Sequence, residues 1–209
     1  MRDDSRQGGL HPVNDVYHTI MGTGEGGCRE KGSRFLGFAL PIREEGEAEA
    51  HLAAMAEKYH DARHHCYAWR LGPDGMRYRA SDAGEPRHSA GDPILNEIKR
   101  RQLYDVLVVV VRYFGGTKLG IPGLIEAYGS AASAALDAAV KGIRTLTAPV
   151  HIRFAYGQTS EVGQVAQKFG LKPSHSEYGS DCQQTFDIRL RDHPEVVAVF
   201  RKMGILAQD

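Results

Sequence analysis

The residues best suited to chemistry lie in a glycine-rich turn, Arg112-Tyr113-Phe114-Gly115-Gly116-Thr117-Lys118-Leu119-Gly120. The turn follows the uninterrupted apolar run Val106–Val111, which is typical of a strand buried on both faces, and it precedes an alanine-rich segment that predicts a helix. A strand, a glycine-rich turn and a helix in this order present backbone N–H groups to an anion. With Arg112 and Lys118 adding two positive charges, the segment predicts a phosphate-binding turn.

Two aromatic residues, Tyr113 and Phe114, stand where the strand ends and offer surfaces on which a base could stack. An alternative interpretation is purely conformational, because Gly115 and Gly116 also suit a tight turn with positive φ. The segment matches neither the GxGxxG pattern nor a Walker loop. The residues alone therefore leave both interpretations open.

A second group of reactive side chains lies in the loop Asp82-Ala83-Gly84-Glu85-Pro86-Arg87-His88-Ser89-Ala90-Gly91. It places two carboxylates, an arginine, a histidine and a hydroxyl before a predicted helix, which we expect Asp92 to cap. Asp82 and Glu85 have the chemistry of a general acid and base or of Mg²⁺ ligands. The alternative is a solvated turn punctuated by its glycine and proline residues.

No metal, cofactor or catalytic nucleophile is expected elsewhere in the chain. A histidine- and cysteine-rich segment, His60 to Cys66, resembles a metal site in composition only, because His65 and Cys66 are adjacent at a predicted strand start and would face opposite sides. No cysteine or serine has the sequence context of an activated nucleophile.

The charge balance excludes a polyelectrolyte that coats nucleic acid by bulk charge, since the 209 residues contain 26 basic and 26 acidic side chains. A local basic patch is predicted between positions 99 and 118. This stretch contains five basic residues and one acidic residue, Asp105, so its net charge is +4.

Cysteine usage and hydropathy indicate a cytoplasmic protein with no membrane partner. Three cysteines are widely spaced, which favours reduced thiols over a disulfide framework, and no apolar run approaches the ~20 residues that span a bilayer. The polar start, residues 1–15, predicts a disordered leader.

Hydrophobic periodicity predicts an α+β chain of two domains, residues 16–145 and 146–209. The first is expected to alternate strands and helices, with Gly22–Gly27 as a loose loop. The second follows the order βαββα with a short tail that supplies a last strand, which matches a ferredoxin-like unit.

Four ordered blocks of this chain resemble the YigZ/IMPACT family, and together they cover about residues 17–140. These blocks are Lys31-Gly32-Ser33-Arg34-Phe35, His64-His65-Cys66-Tyr67-Ala68-Trp69, Ser81-Asp82-Ala83-Gly84-Glu85-Pro86 with Ala90-Gly91-Asp92-Pro93-Ile94-Leu95, and Val109 to Gly120. The chain departs from the family pattern where Ala83 replaces an acid, where Arg87-His88-Ser89 replaces small residues, and where Pro122 replaces a frequent glycine.

The resemblance implies an N-terminal α+β domain like the second domain of a small-subunit ribosomal protein, shared with domain IV of elongation factor G, and a ferredoxin-like C-terminal domain. It also implies a link to translation, because the eukaryotic branch acts in translation control through protein contacts. The leading hypothesis is therefore a non-enzymatic regulatory protein that contacts RNA, the ribosome or a translation-associated protein. Its expected binding residues are Lys31, Arg34, Asp82, Glu85, Arg112, Tyr113, Phe114, Gly115, Gly116 and Lys118.

Two alternatives remain open from the residues. An enzyme acting on a small anionic substrate would use Asp82 and Glu85 opposite the glycine turn, in a deep pocket. In a purely structural alternative, Arg112 pairs with Asp82 or Glu85 and holds the two loops together.

Overall fold

The computed structural model describes residues 15–208, so the predicted leader lies outside the described residues except for Asp15. The chain forms two compact units. The larger unit is Tyr17–Arg144, and the smaller unit combines the described residues of Met1–Val16 and Thr145–Asp209. None of the helices in this described part is long and apolar enough to cross a bilayer.

The larger unit alternates strands and helices. Its elements are β1 Val16–Ile20, β2 Gly24–Glu30, β3 Ser33–Pro41, α1 Glu45–Lys58, β4 His64–Leu71, β5 Arg77–Ser81, α2 Gly91–Arg100, β6 Val106–Tyr113, α3 Gly120–Ala138 and β7 Lys141–Thr145. Strands β1 and β7 form a two-stranded sheet, and the five others form a sheet in the order β2-β3-β6-β4-β5. All neighbouring pairs in the five-stranded sheet are antiparallel.

Strand β6 lies at the centre of this sheet and is buried on both faces, as its apolar run predicted. Val106, Val108 and Val110 pack into a core with α2 and α3. The intervening residues, Leu107, Val109 and Val111, pack on the other face into a core that also contains Ala48 of α1, and Leu52 and Met55 of the same helix pack against this core. The alternation follows from the two-residue period of a strand.

The predicted loose loop at Gly22–Gly27 is wrong from Gly24 onward, because these residues begin strand β2. The glycines serve close packing against α3. A Cβ at Gly24 would overlap the backbone oxygen of Ala135, and a Cβ at Gly37 on the neighbouring β3 would overlap that of Ala131. The absence of side chains lets the helix backbone rest directly on the sheet.

The smaller unit has the element order βαββαβ. Its elements are β8 Thr147–Phe154, a 3-10 helix Tyr156–Gln158, α4 Thr159–Phe169, β9 Pro173–Tyr178, β10 Cys182–Arg189, α5 His193–Lys202 and β11 Leu206–Gln208. The strands form an antiparallel sheet in the order β11-β8-β10-β9. This unit has a core of its own, centred on Val150, Phe186 and Phe200. The ferredoxin-like and ribosomal-protein-like assignments of the two units stay predictions.

Candidate binding site at the glycine turn

The register of the sheet brings the predicted blocks to one end of the larger unit. Arg112 on β6 lies opposite Phe35 on β3 and opposite His64 on β4. The glycine turn also touches the turn between β2 and β3 so closely that a Cβ at Gly115 would overlap the backbone of Gly32. Segments that are 80 residues apart in sequence therefore form one surface.

Arg112 is buried at this end of the sheet, with 6% of its surface exposed. Its Nη1 donates to Oε1 of Glu85 at 2.6 Å, and its Nη2 donates more weakly to Oγ of Ser33 at 3.5 Å. The Phe35 and Phe114 rings lie 5.4 and 5.5 Å from the guanidinium carbon, while Nε–H has no hydrogen-bond partner among the described residues. Arg112 thus forms the buried ion pair of the structural alternative, with Glu85 as its partner.

Glu85 connects Arg112 to a buried polar network. The same Oε1 accepts a hydrogen bond from the Tyr128 hydroxyl at 2.7 Å, and the Glu85 side chain is only 4% exposed. Nε2 of His64 lies 4.0 Å from this oxygen. Burial, together with neighbouring Cys66 and Glu85, raises the pKa of Tyr128, so its hydroxyl stays a donor.

Cys66 is a structural thiol. Its Sγ donates to the backbone oxygen of Asp82 at 3.0 Å, and burial raises the pKa of the thiol to about 12. A thiol that stays protonated at neutral pH is a poor nucleophile.

Asp82 fixes the acidic loop and the start of helix α2. Its Oδ1 accepts the N–H groups of Ala90 and Gly91 at 2.9 and 2.8 Å, and its Oδ2 accepts that of His88 at 2.8 Å. Burial opposes ionisation, but these three bonds outweigh it and hold the pKa of Asp82 below its ordinary value. Asp92, the predicted cap, instead contacts Nδ1 of His88 at 2.6 Å, and the N-cap residue of α2 is Ala90, which forms no side-chain cap bond.

Four cations surround the glycine turn and are exposed to solvent: Lys31, Arg34, Arg63 and Lys118. We call these four residues the basic rim. None of them forms an ion pair with another residue in the range 15–208.

Some of the aromatic and glycine residues of the turn are exposed, and others make contacts inside the protein. The guanidinium of Arg34 lies 5.0 Å from the ring centre of Tyr113, whose hydroxyl donates to Asp61 at 2.7 Å. Phe114 is 52% exposed. Gly115 points its N–H inward to Oγ of Ser33 at 3.2 Å, and Gly116 is exposed with φ +92°.

A cavity of about 520 Å³ opens beside the turn. It is bounded by side chains from the start of β4, the acidic loop, the end of β6 and the start of α3. The lining residues are Arg63, His64, Glu85, Pro86, Arg112, Phe114, Lys118, Leu119, Gly120, Ile121 and Leu124. Asp82 is not among them, so the structure separates the two carboxylates that the enzymatic alternative placed together.

The basic patch predicted between positions 99 and 118 is dispersed in the structure. Arg100 and Arg101 pair with Glu97, and Arg101 also pairs with Asp137. Arg112 is neutralised by Glu85. A count of charges along one stretch of sequence omits acidic residues that the fold brings close from other segments. The basic rim is likewise formed by residues of three separate segments.

Several residues of the site were not expected from the sequence. Arg63 lies just outside the second family block, and His64, inside that block, had no predicted binding role. Tyr128 lies in the alanine-rich segment that predicts a helix, where a hydroxyl group among alanines was the available signal. Within residues 15–208 no group of three or more His, Cys, Asp or Glu side chains is placed to hold a metal ion.

Comparison with known proteins matches residues 31–136 to the Impact N-terminal domain. Over 109 residues the chain is 52% identical to an IMPACT family member from Thermus thermophilus, a match covering 52% of this chain and 58% of that protein. Over 150 residues it is 31% identical to the IMPACT family member YigZ from Escherichia coli, covering 71% and 74%. A crystal structure described as a hypothetical protein matches with a TM-score of 0.68 at 25% identity, covering 92% of this chain and 96% of that one. The match to the Thermus protein thus spans less than two thirds of its length.

Proposed function

The chain belongs to the IMPACT family, as its sequence blocks predicted, and from that premise we propose a non-enzymatic regulatory protein linked to translation. In this proposal it binds RNA, the ribosome or a translation-associated protein through the basic rim. The link to translation rests on the family resemblance, and the surface rests on the geometry of the glycine turn.

The observation that carries the proposal is a group of four exposed cations without ion-pair partners among the described residues, next to exposed aromatic surface. Lys31 and Lys118 can approach phosphates or carboxylates without first breaking an internal contact. Arg34 stacks on Tyr113, which presents a flat cationic surface of the kind that bases or acidic side chains pack against. Arg112 supports this surface from below and does not itself contact the partner.

The cavity beside Glu85 is compatible with the enzymatic alternative, but the contacts of Glu85 and Asp82 are not those of a general acid and base. Glu85 is held by Arg112 and Tyr128, and both oxygens of Asp82 accept backbone N–H groups. A general acid or base needs a carboxyl that can exchange a proton with the substrate. We therefore favour binding over catalysis. The free thiols of Cys28, Cys66 and Cys182 accord with the cytoplasmic location that we propose.

Binding should be tested with the purified protein against labelled single-stranded RNA and against ribosomes, over a series of salt concentrations. We expect the triple variant Lys31→Ala, Arg34→Ala, Lys118→Ala to bind more weakly and with a shallower salt dependence. On RNA, the slope should fall by about 0.7 for each phosphate contact that is lost.

The matched control replaces three exposed basic residues that do not belong to the rim, with Arg79→Ala, Lys172→Ala and Lys202→Ala. This variant should bind like the wild-type protein. A pull-down with and without nuclease then separates RNA-mediated from protein-mediated capture. Equal binding of the rim variant and the wild type to every partner would refute the proposed surface.

A further inference from the structure

The lining of the cavity beside the glycine turn is of two chemical kinds. It contains the exposed cations Arg63 and Lys118 and the apolar side chains Phe114, Leu119, Ile121 and Leu124. Its volume of about 520 Å³ lies within the range of about 300–1,000 Å³ that is usual for small-ligand sites. A mostly apolar wall with a few convergent polar groups is the usual composition of such sites.

From this arrangement we propose that the cavity binds a small phosphate monoester whose organic part is apolar or aromatic. Lys118 and Arg63 hold the phosphate, and Phe114 and Ile121 cover the organic part. This ligand site goes beyond the proposed function and does not depend on it, since a ligand can occupy the cavity whether or not the rim binds a partner.

The charge of the lining favours an anion. Three lining residues are basic, and the single lining acid, Glu85, is already bound by Arg112 and by Tyr128. Lys118 and Arg63 are exposed, and neither forms an ion pair with another residue of the described chain. An anion entering the cavity therefore meets two cations that are free to reorient toward it.

Helix α3 strengthens the preference for phosphate over a single carboxylate. Leu119, which precedes the helix, and Gly120 and Ile121 of its first turn lie in the lining, and no side chain caps the N-terminus. Pro122 has no N–H, so the first turn offers the N–H groups of Gly120 and Ile121. Added to Arg63 and Lys118, they provide more donors than one carboxylate can use. A phosphate group offers three oxygens to such a set of donors.

The apolar residues of the lining have the exposure expected of a surface that a ligand covers. Phe114 is 52% exposed and Ile121 is 53% exposed, while Leu124 behind them is 5% exposed. Phe114 also packs against the buried guanidinium of Arg112, which holds its ring at the cavity wall. An aromatic ring of a ligand can stack on this fixed surface.

The test uses the full chain and four small probes, phenyl phosphate, inorganic phosphate, phenol and benzoate, titrated by calorimetry or by NMR. We expect phenyl phosphate to bind at least tenfold more tightly than inorganic phosphate or phenol, because neither of these engages both the cations and the apolar lining. It should also bind more tightly than benzoate, whose carboxylate uses fewer of the donors. Lys118→Ala and Phe114→Ala should each weaken its binding about tenfold, and Lys118→Arg should restore most of it. Circular dichroism of each variant should show that it retains the wild-type fold.

Two further variants separate this inference from the proposed function. Lys172→Ala, an exposed lysine in the smaller unit, should leave phenyl phosphate binding unchanged. Lys31→Ala with Arg34→Ala should also leave it unchanged, although the pair belongs to the proposed partner surface. The inference is overturned if phenyl phosphate binds no better than phosphate, if benzoate binds as tightly, or if folded Lys118→Ala and Phe114→Ala variants bind like wild type.

Discussion

At the scale of single residues, the buried pair of Arg112 and Glu85 determines what the glycine turn can do. Both side chains are under a tenth exposed, and the Tyr128 hydroxyl completes the coordination of Glu85. Removing one partner of a buried ion pair leaves the other charge without compensation, which costs more than the pair itself contributes. The charge of Arg112 thus holds the acidic loop against the sheet, while the four cations of the basic rim are exposed to solvent.

Replacing Arg112 with alanine should therefore be strongly destabilising. We expect the free energy of unfolding to fall by about 3–5 kcal/mol, because Glu85 would keep a buried charge without its cation. Urea denaturation of the Arg112→Ala variant measures this loss. The control is Arg77→Ala, which breaks the exposed pair with Glu45 and should cost no more than about 1 kcal/mol. A loss of similar size in both variants would contradict the structural role of Arg112.

The site residues stay a prediction, but the structure shows which of their segments lie together. Arg112 pairs with Glu85, as the structural alternative predicted, and the glycine turn contacts the segment that follows Lys31. The roles of these residues were harder to predict, because the fold determines whether an acidic residue lies close enough to pair with each basic side chain. The inward N–H of Gly115, bonded to Ser33, likewise depends on a turn some 80 residues earlier.

At the scale of elements, the contact between helix α3 and strands β2 and β3 explains the glycine-rich start of the domain. Strand β6 was predictable because its apolar run is short and rich in β-branched valine, and the helix α3 was predictable from its alanine-rich segment. Strand β2 was not, because clustered glycines usually indicate a loop. These glycines allow the backbone of α3 to pack closely on the strand. This role cannot be predicted without knowing where α3 lies in the fold.

Gly37→Ala should destabilise the larger unit by about 1–3 kcal/mol, since its methyl group would meet the backbone of α3 rather than a side chain that can move. Thermal or urea unfolding measures the change. Gly163→Ala is the matched control, because Gly163 lies inside α4 with no atom near its missing Cβ. Alanine there should stabilise by about 0.5–1 kcal/mol. A neutral Gly37→Ala would show that α3 does not pack as closely as described.

At the scale of the whole molecule, each compact unit has its own hydrophobic interior. The single tryptophan, Trp69, is buried in the larger unit, in the core that contains Leu107 and Val109. The core of the smaller unit draws on residues from Val150 onward. Tryptophan fluorescence therefore reports on the larger unit, whereas far-ultraviolet circular dichroism reports on both.

We expect Ile188→Ala, which removes about 2–5 kcal/mol from the smaller core, to shift only part of the circular dichroism transition in urea. The fluorescence midpoint of Trp69 should stay at its wild-type position. Leu107→Ala, a truncation of the same kind beside Trp69, should move that midpoint to lower urea. Equal movement of the fluorescence midpoint in both variants would show that the two units unfold as one.

The sheet order also has a consequence for synthesis. Strand β6 is made after β3 and β4 and then inserts between them. Until Tyr113 has left the ribosomal tunnel, the edges of β3 and β4 that pair with β6 have no partner. Unpaired strand edges promote aggregation, so we expect a chain whose synthesis stops before β6 to aggregate more readily than one that includes it.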